Sequence, residues 1–401
     1  MQNQIVESHP TAPRGMMNMI APRAIYFFYF AALANLAPYS ALYYQSLGLS
    51  GGQIGILLGI APIAGLIAAP SWGALADTTR QNKRILLMTI AASAISIFIL
   101  SFIHTFAWLV LVVAIYAFFI TPIIPLVDNS VVELLGDRRR EYGKQRVWGS
   151  YGWGLAGLVS GLLIRRFGLP VIFYAFTILL SFSLIAAARF PVSQRSIGVK
   201  VSWKTLGLFT DRRWLLFLCV ILVISMGMAM VGNYFMIYLR NLGTPDAWMG
   251  VALALATISE IPFLFFSDRL LRRFGMIGLI VMGGGVVGLR ALMFSIAAAP
   301  WQALALQLVH GLTFALVLVG GVEYASHIAP PGLGATAQGV FSGVFSGLGY
   351  AVGSLIGGLL LDSVGVMAMY RWAGIGVLLA VIIFYFATIR VDIRTPEENI
   401  P

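Results

Sequence analysis

The stretch YQSLG at residues 44–48, with Gly55 seven residues beyond its glycine, recurs as LRNLG at residues 239–243 with Gly250 at the same spacing. Two other sets repeat in the same order along the chain. They are Ser150, Gly157 and Gly161, which recur as Ser346, Gly353 and Gly357, and Asp77, which recurs as Asp268. Ordered recurrence of this kind indicates a duplicated unit and therefore two related halves.

Long apolar runs fill both halves. Of the 401 residues, 59% are hydrophobic and only 10% are charged, whereas about 25% is typical of soluble proteins. Several runs reach the ~20 residues that a helix needs to cross a hydrocarbon layer of ~30 Å. The sequence therefore predicts an all-α integral membrane protein with twelve transmembrane helices. The predicted spans are residues 21–47, 51–76, 85–103, 106–135, 147–164, 170–188, 214–239, 248–266, 276–298, 301–325, 335–361 and 366–389.

A polar and basic loop near the middle of the chain divides the predicted helices into six and six. Together with the internal repeat, this division predicts two pseudo-symmetric six-helix bundles. The predicted segments are an N-terminal tail at residues 1–20, a first bundle at 21–189, the central loop at 190–213, a second bundle at 214–390 and a C-terminal tail at 391–401.

The net charge of +11 follows this topology. Most of the 26 Lys and Arg residues fall in the tails, the central loop or alternate connections between helices. Because positively charged loops stay on the cytoplasmic side, both termini and the central loop are predicted to be cytoplasmic, with the helices in the cell membrane. Topology explains the basicity, so we expect no nucleic-acid partner. The exceptions are Arg165, Arg166, Arg240, Arg290 and Arg371.

Residue types that build metal sites and enzyme active sites are sparse. Cys219 is the only cysteine, which excludes an internal disulfide and a multi-cysteine metal site. The four histidines, His9, His104, His310 and His327, are scattered and form no nucleophile–base pair or metal cluster. We therefore expect no enzymatic activity, no metal and no cofactor, and we expect a monomer in the lipid bilayer.

Three ionisable residues lie inside predicted spans eight, nine and ten: Glu260, Arg290 and His310. Such groups cost about 2.5–3.5 kcal/mol each at the centre of a membrane helix, so each is a functional candidate. A carboxylate, a cation and an imidazole at these depths can form a charge network that faces a cavity. Glu260 is the first candidate to carry a coupling proton. The alternative is a structural ion pair that only orients three helices.

Asp128, Arg146 and Trp153 form a second candidate group in the first half. Trp153 follows Arg146 by seven residues, or two helical turns, so both side chains occupy one face. An Arg fork beside an indole suits a ligand with hydroxyls or a carboxylate and a flat apolar surface. The alternative is an interfacial Trp with a snorkelling Arg.

Asp77 and Asp268 lie at predicted cytoplasmic helix junctions, where we expect contacts that stabilise one conformation. Glu323 and His327 are four residues apart at the inner end of span ten, which favours a local pair or gate contact. The aromatic residues of span one are expected to face lipid or the core rather than a ligand. They are Tyr26, Phe27, Phe28, Tyr29 and Phe30.

Three motifs resemble the major facilitator superfamily over the whole chain. The segment GALAD at 73–77, followed by Arg80, is similar to the loop motif after its second helix, although a glycine is usual where Arg80 stands. YGKQRVWGS at 142–150 and LVHGLTF at 308–314 resemble the fifth and tenth helices of one branch. That branch holds lactose permease, nucleoside/proton symporters and the phenylpropionate permease.

The resemblance also carries roles for site residues. Asp128, Arg146 and Trp153 match the acid, the arginine and the stacking tryptophan with which lactose permease binds sugar. Glu260, Arg290 and His310 match its acid, arginine and histidine in helices eight to ten. Two positions depart from that pattern, because Thr313 replaces the glutamate central to proton coupling and Gln307 replaces a lysine. If protons are coupled here, the resemblance leaves Glu260 or Asp128 to carry them.

These observations predict a secondary active transporter. The favoured hypothesis is a proton-coupled symporter that imports a small polar organic solute, a sugar or glycoside, a nucleoside or an aromatic acid, by alternating access. The substrate is expected between Asp128, Arg146 and Trp153 on one side and Glu260, Arg290 and His310 on the other. The alternative is a proton-coupled exporter of drugs or metabolites. A membrane enzyme or receptor is disfavoured, because no catalytic constellation or added domain is visible.

Overall fold

A computed structural model of the chain describes residues 19–192, 211–329 and 333–393. Within these ranges every regular element is helical. Nine helices there are long and apolar enough to cross a membrane, and two of them, Phe106–Phe167 and Gly334–Thr388, are 62 and 55 residues long. A single crossing needs only about 20 residues. The chain is therefore an all-helical, multi-pass membrane protein.

The first half of the chain has its last helical residue at Arg189. Residues 1–18 of the predicted N-terminal tail and 193–210 of the predicted central loop lie outside the described residues. The helices of this half are α1 (Ile20–Leu36), α2 (Ser40–Ser46), α3 (Gly51–Thr79), α4 (Asn82–Leu100), α5 (Phe106–Ile120), α6 (Ile123–Leu135), a 3-10 helix (Gly136–Glu141), α7 (Tyr142–Phe167) and α8 (Val171–Arg189).

The second half begins at Arg212, two residues before its predicted start. Residues 394–401 of the predicted C-terminal tail lie outside the described residues. The helices are α9 (Arg212–Asn233), α10 (Phe235–Asn241), α11 (Asp246–Phe265), α12 (Ser267–Ile296), α13 (Pro300–Gln307), α14 (His310–Ile328), α15 (Gly334–Ser342), a π-helical turn (Gly343–Gly349) and α16 (Tyr350–Ile393).

Kinks inside these helices have local causes. Gly275 in α12 and Gly365 in α16 have φ angles of +67° and +79°, which glycine adopts without steric cost. The predicted spans 276–298 and 366–389 begin directly after these two glycines. Pro122 separates α5 from α6, because a proline ring interrupts the helical hydrogen-bond ladder. Glycine residues with positive φ and a proline thus divide the longer helical stretches.

Two of the helix crossings that join the first half to the second depend on close glycine contacts. In the crossing of α3 with α16, a Cβ atom added to Gly55 would lie 2.7 Å from the carbonyl oxygen of Ser354. In the crossing of α7 with α11, a Cβ atom added to Gly250 would lie 2.5 Å from the carbonyl oxygen of Gly157. Real Cβ atoms do not come this close, so glycine is what lets the two backbones touch.

The same helices diverge along their length. A Cβ atom added to Gly65 or Gly73 of α3, or to Gly143 of α7, would meet no other atom within 4 Å. The two halves are therefore in contact where α3 begins and α7 ends, and they separate where α3 ends and α7 begins. The interior between them is closed at the first of these ends.

Candidate functional site

A cavity of about 590 Å³ lies between the two halves. The first half contributes Phe30 from α1, and Arg146 and Trp153 from α7. The second half contributes the three ionisable residues of its membrane helices. They are Glu260 from α11, Arg290 from α12 and His310 from α14. Charged groups of the two halves thus meet around one void, and its volume lies in the range of small-molecule sites.

In the second half, His310 stands between Glu260 and Arg290. Its Nε2 atom is 3.1 Å from Oε1 of Glu260, and its Nδ1 atom is 3.2 Å from Nη1 of Arg290. Their positions inside membrane spans predicted one charge network, and the structure brings the three residues together. Glu260 and Arg290 do not pair directly, because the imidazole of His310 separates the carboxylate from the guanidinium.

Arg290 is buried, with 8% of its surface exposed. Its Nε atom donates to the carbonyl oxygen of Leu306 at 3.0 Å, and its Nη2 atom donates to Oε1 of Gln307. The ring of Phe294 lies beneath the guanidinium, 4.9 Å from its carbon. These contacts satisfy a buried cation without a carboxylate partner. Gln307, named in the sequence only as a departure from a lysine, is therefore part of this network.

In the first half, Arg146 and Trp153 both line the cavity, as their helical spacing predicted. Asp128 lies behind Arg146 and is not among the lining residues, with Oδ1 4.0 Å from Nε of Arg146. The hydroxyl of Tyr26 donates a closer hydrogen bond to the same oxygen, at 2.5 Å. The guanidinium of Arg146 stacks 4.3 Å from the ring of Phe30. Asp128 thus contacts Tyr26 and Arg146 rather than the void itself.

The aromatic residues of the first span divide into two groups. Tyr26 and Tyr29 are buried, in agreement with the prediction that this cluster faces the core or lipid. For Phe30 that prediction was wrong, because its ring lines the cavity beneath Arg146. Phe30 follows Tyr26 by four residues and so shares its helix face. This four-residue spacing could have predicted that Phe30 lines the cavity, but only with the knowledge that Tyr26 contacts Asp128.

Uncharged polar residues complete the wall of the cavity. They were not predicted as ligand contacts, because an amide or hydroxyl in a membrane helix is a weaker signal than an ionisable group. They are Ser150, Asn233, Thr257, Gln307, Thr313 and Tyr350.

The three residues selected for gating lie away from the cavity. Asp77 is half-buried near the end of α3, Asp268 is exposed in the first turn of α12, and Glu323 is exposed in α14. Within the described part of the chain, Glu323 forms no ion pair with His327. Their roles in conformational change stay predictions.

A family model described as "MFS_1 like family" matches residues 20–372. The maltose permease of Geobacillus stearothermophilus is 29% identical over 360 residues, covering 89% of this chain and 91% of that protein. The probable 3-phenylpropionic acid transporter of Escherichia coli (strain K12) is 24% identical over 309 residues, covering 75% and 80% of the two chains.

The same fold occurs in a solved structure. The crystal structure of nucleoside transporter NupG superposes with a TM-score of 0.83 at 18% identity, covering 93% of this chain and 99% of that chain. The putative nucleoside transporter YegT of Escherichia coli (strain K12) is 24% identical over 383 residues, covering 89% of each chain. These relatives are transporters and not enzymes. The chain belongs to the MFS_1-like family, and it is a membrane transporter of the major facilitator superfamily.

Proposed function

We propose that the protein is a proton-coupled symporter that imports a small polar organic solute across the cell membrane by alternating access. One observation carries this proposal. A single cavity between the two halves collects Arg146 and Trp153 from one half and Glu260, Arg290 and His310 from the other. A cavity between two halves of a transporter can open to either side of the membrane when the halves rock against each other.

The chemistry of the cavity supports a polar solute that has one flat apolar face. Trp153 offers an indole face, Arg146 offers up to five N–H donors, and Glu260 offers an acceptor. Sugars or glycosides, nucleosides and aromatic acids all combine such features. The names of the relatives fall in the same range, because they include a maltose permease, a putative nucleoside transporter and a probable 3-phenylpropionic acid transporter.

We further propose twelve transmembrane helices in two pseudo-symmetric six-helix bundles, residues 21–189 and 214–390, with both termini cytoplasmic and the protein a monomer. Support comes from the ordered sequence repeat and from the kink at Gly365, which divides the helical stretch Gly334–Thr388 into two parts that are each longer than the ~20 residues of one crossing. In this topology the end where the halves touch faces outward, since α3 then begins outside. The described conformation is accordingly inward-facing.

For proton coupling, Glu260 is the first candidate, because it faces the cavity and contacts His310. A carboxylate that exchanges a proton must reach water in at least one state, and 27% of the Glu260 side chain is exposed. Asp128 is the second candidate, with 30% of its side chain exposed and a hydrogen bond from Tyr26. The alternative function, proton-coupled export of drugs or metabolites, uses the same cavity with the opposite direction of net movement.

Reconstituted proteoliposomes test the proposal. An inward proton gradient is imposed, and uptake of radiolabelled maltose, uridine and 3-phenylpropionate is followed with and without a protonophore. We expect one solute class to accumulate, and we expect the protonophore to abolish the accumulation. Exchange of labelled for unlabelled solute without any response to the gradient would contradict coupling. Gradient-driven extrusion from loaded vesicles would favour the exporter.

The Glu260→Gln variant separates coupling from binding. It is expected to exchange solute across the membrane at equilibrium but not to accumulate it. Glu141→Gln is the matched control, because Glu141 is a half-buried glutamate outside the cavity. Normal proton-driven accumulation by Glu260→Gln would remove Glu260 from the mechanism and leave Asp128 as the proton carrier.

A further inference from the structure

The helix that carries His310 is interrupted inside the predicted tenth membrane span. α13 ends at Gln307 and α14 begins at His310, and Leu308 and Val309 between them form a turn that breaks the regular helical hydrogen bonding. An interruption at this depth exposes backbone polar groups, which the protein itself must satisfy where lipid cannot. Two side chains from neighbouring helices do so. One is Ser259 of α11, and the other is Arg290 of α12.

Ser259 joins both sides of the interruption. Its hydroxyl lies 3.2 Å from the carbonyl oxygen of Gln307, and it accepts a hydrogen bond from the backbone N–H of Gly311 at 2.9 Å. A Cβ atom on Gly311 would lie 2.0 Å from the carbonyl oxygen of Ser259, so the two backbones are in direct contact there. The neighbouring residues Glu260 and His310 are brought side by side as a consequence.

Arg290 directs three N–H groups at the same interruption. Nε donates to the carbonyl oxygen of Leu306, Nη2 donates to Oε1 of Gln307, and Nη1 points at Nδ1 of His310. A guanidinium is planar and rigid, so fixing two of its nitrogens fixes the direction of the third. Gln307 is itself buried, with 4% of its surface exposed, and its amide has little freedom to turn away.

This arrangement determines which nitrogen of His310 carries the proton. Arginine is only a donor, so Nδ1 of His310 must present its lone pair to Arg290. The proton of the neutral imidazole is then on Nε2, which is 3.1 Å from Oε1 of Glu260. A proton on Nδ1 would set two N–H groups against each other, as would an imidazolium.

We infer that Gln307 is a positioning residue that holds the Arg290 fork in place and thereby keeps His310 in the neutral form with its N–H directed at Glu260. Leucine at this position would leave Nη2 of Arg290 without its acceptor. Lysine would add a second cation that can only donate. The position of the proton follows from geometry alone, and only its use in coupling rests on the proposed function.

Solid-state NMR of the full-length protein, labelled with ¹⁵N-histidine in lipid bilayers at neutral pH, tests the inference. Four histidines give at most four sets of ring signals, and the His310 set is assigned by its loss in His310→Gln. In the wild type we expect one form, protonated at Nε2 and unprotonated at Nδ1. An Nδ1-protonated ring or an imidazolium in the wild type would overturn the inference without any Gln307 variant.

Variants at Gln307 then test its role. Gln307→Leu is expected to convert about a third of the His310 signal to another form, because a tenfold change in the equilibrium turns a population ratio of about 20:1 into about 2:1. Gln307→Glu keeps an acceptor for Arg290 and should retain the wild-type signal. The control Thr257→Val removes a cavity hydroxyl that donates to the carbonyl oxygen of Leu253 in its own helix, and it should also retain the wild-type signal. A wild-type spectrum for Gln307→Leu would overturn the role of Gln307, whatever the transport assays give.

Discussion

The carboxylate of Asp362 in α16 accepts a hydrogen bond from the backbone N–H of Gly51 in α3, with Oδ1 2.6 Å from the nitrogen. Its second oxygen accepts from the N–H of Gly52 at 2.9 Å. The contact joins the two halves at the first turn of a helix, where the macrodipole favours an anion. It lies at the end of the molecule where the halves touch, so it stabilises the closed state of that face.

Asp362→Asn is expected to weaken this closure. The change removes the charge and one acceptor of an exposed carboxylate. We expect the closed state to lose about 1 kcal/mol of stability relative to the open state, which is a roughly fivefold change in the closed-to-open ratio. Spin labels at the exposed residues Gln45 and Asn241, in a Cys219→Ser background, report the separation of the two halves by pulsed EPR. A larger long-distance fraction is expected in Asp362→Asn.

Asp246→Asn is the matched control for that experiment. Asp246 is an acidic residue in the first turn of α11, but it pairs with Arg240 of its own half, 2.7 Å from Oδ1 to Nη2. Its loss removes the same charge without breaking a bond between halves. An equal long-distance fraction in both variants would show that the loss of any negative charge at this end opens the halves. It would contradict a specific role for the contact of Asp362 with Gly51.

Gly55→Ala is expected to destabilise the crossing of α3 with α16. The new Cβ would lie 2.7 Å from the carbonyl oxygen of Ser354, and backbone atoms of two long helices must separate to admit it. Overpacking of this kind costs about 1–3 kcal/mol. The apparent melting temperature of purified protein should fall. Gly65→Ala, on the same helix with no atom within 4 Å, should leave it unchanged, and equal losses would refute the crossing.

Trp153→Ala is expected to weaken solute binding about tenfold, because the loss of an aromatic contact is worth on the order of 1.4 kcal/mol. Trp153→Phe should recover part of that loss. Trp148 lies on the same helix but outside the cavity, and its ring contacts Tyr151, so Trp148→Ala is the control. Titration of the bound solute by equilibrium dialysis measures all three. Similar affinities for the two alanine variants would exclude stacking on Trp153.

Tyr26→Phe is expected to weaken solute binding by several-fold. Without the hydroxyl, Asp128 loses its closest hydrogen bond and draws Arg146 toward itself and out of the cavity. A hydrogen bond to a charged group contributes about 1.5–3 kcal/mol, so the variant should also melt at a lower temperature. Tyr29→Phe removes a neighbouring buried hydroxyl that makes no such bond to Asp128. Tyr29→Phe should have the solute affinity and melting temperature of the wild type. Equal affinities and melting temperatures in Tyr26→Phe and Tyr29→Phe would contradict the role of Tyr26.

Much of the site could be predicted from single-helix arguments. The cost of burying charge singled out Glu260, Arg290 and His310, and a separation of two helical turns put Arg146 and Trp153 on one face. These arguments use only position along a helix and depth in the membrane. Both quantities can be read from sequence, and the structure brings those residues to one cavity.

Contacts between helices were beyond such arguments. The pairing of Asp362 with Gly51 joins residues 311 positions apart, and no periodicity encodes it. The turn before His310, Leu308 and Val309, contains neither proline nor glycine, and it is stabilised by Ser259 and Arg290 from other helices. The order of Glu260, His310 and Arg290 likewise depends on how three helices pack.

One binding site built by both halves is the central claim, and ligand-dependent thermal unfolding tests it most directly. The purified protein is titrated with maltose, uridine and 3-phenylpropionate, since a ligand at 100 times its Kd stabilises by about 2.7 kcal/mol. One solute class should stabilise the wild type. In both Arg146→Gln and His310→Gln, the solute concentration that gives half of the stabilisation should rise at least tenfold. Full stabilisation of either variant would show that the solute binds within a single half, and it would contradict the claim.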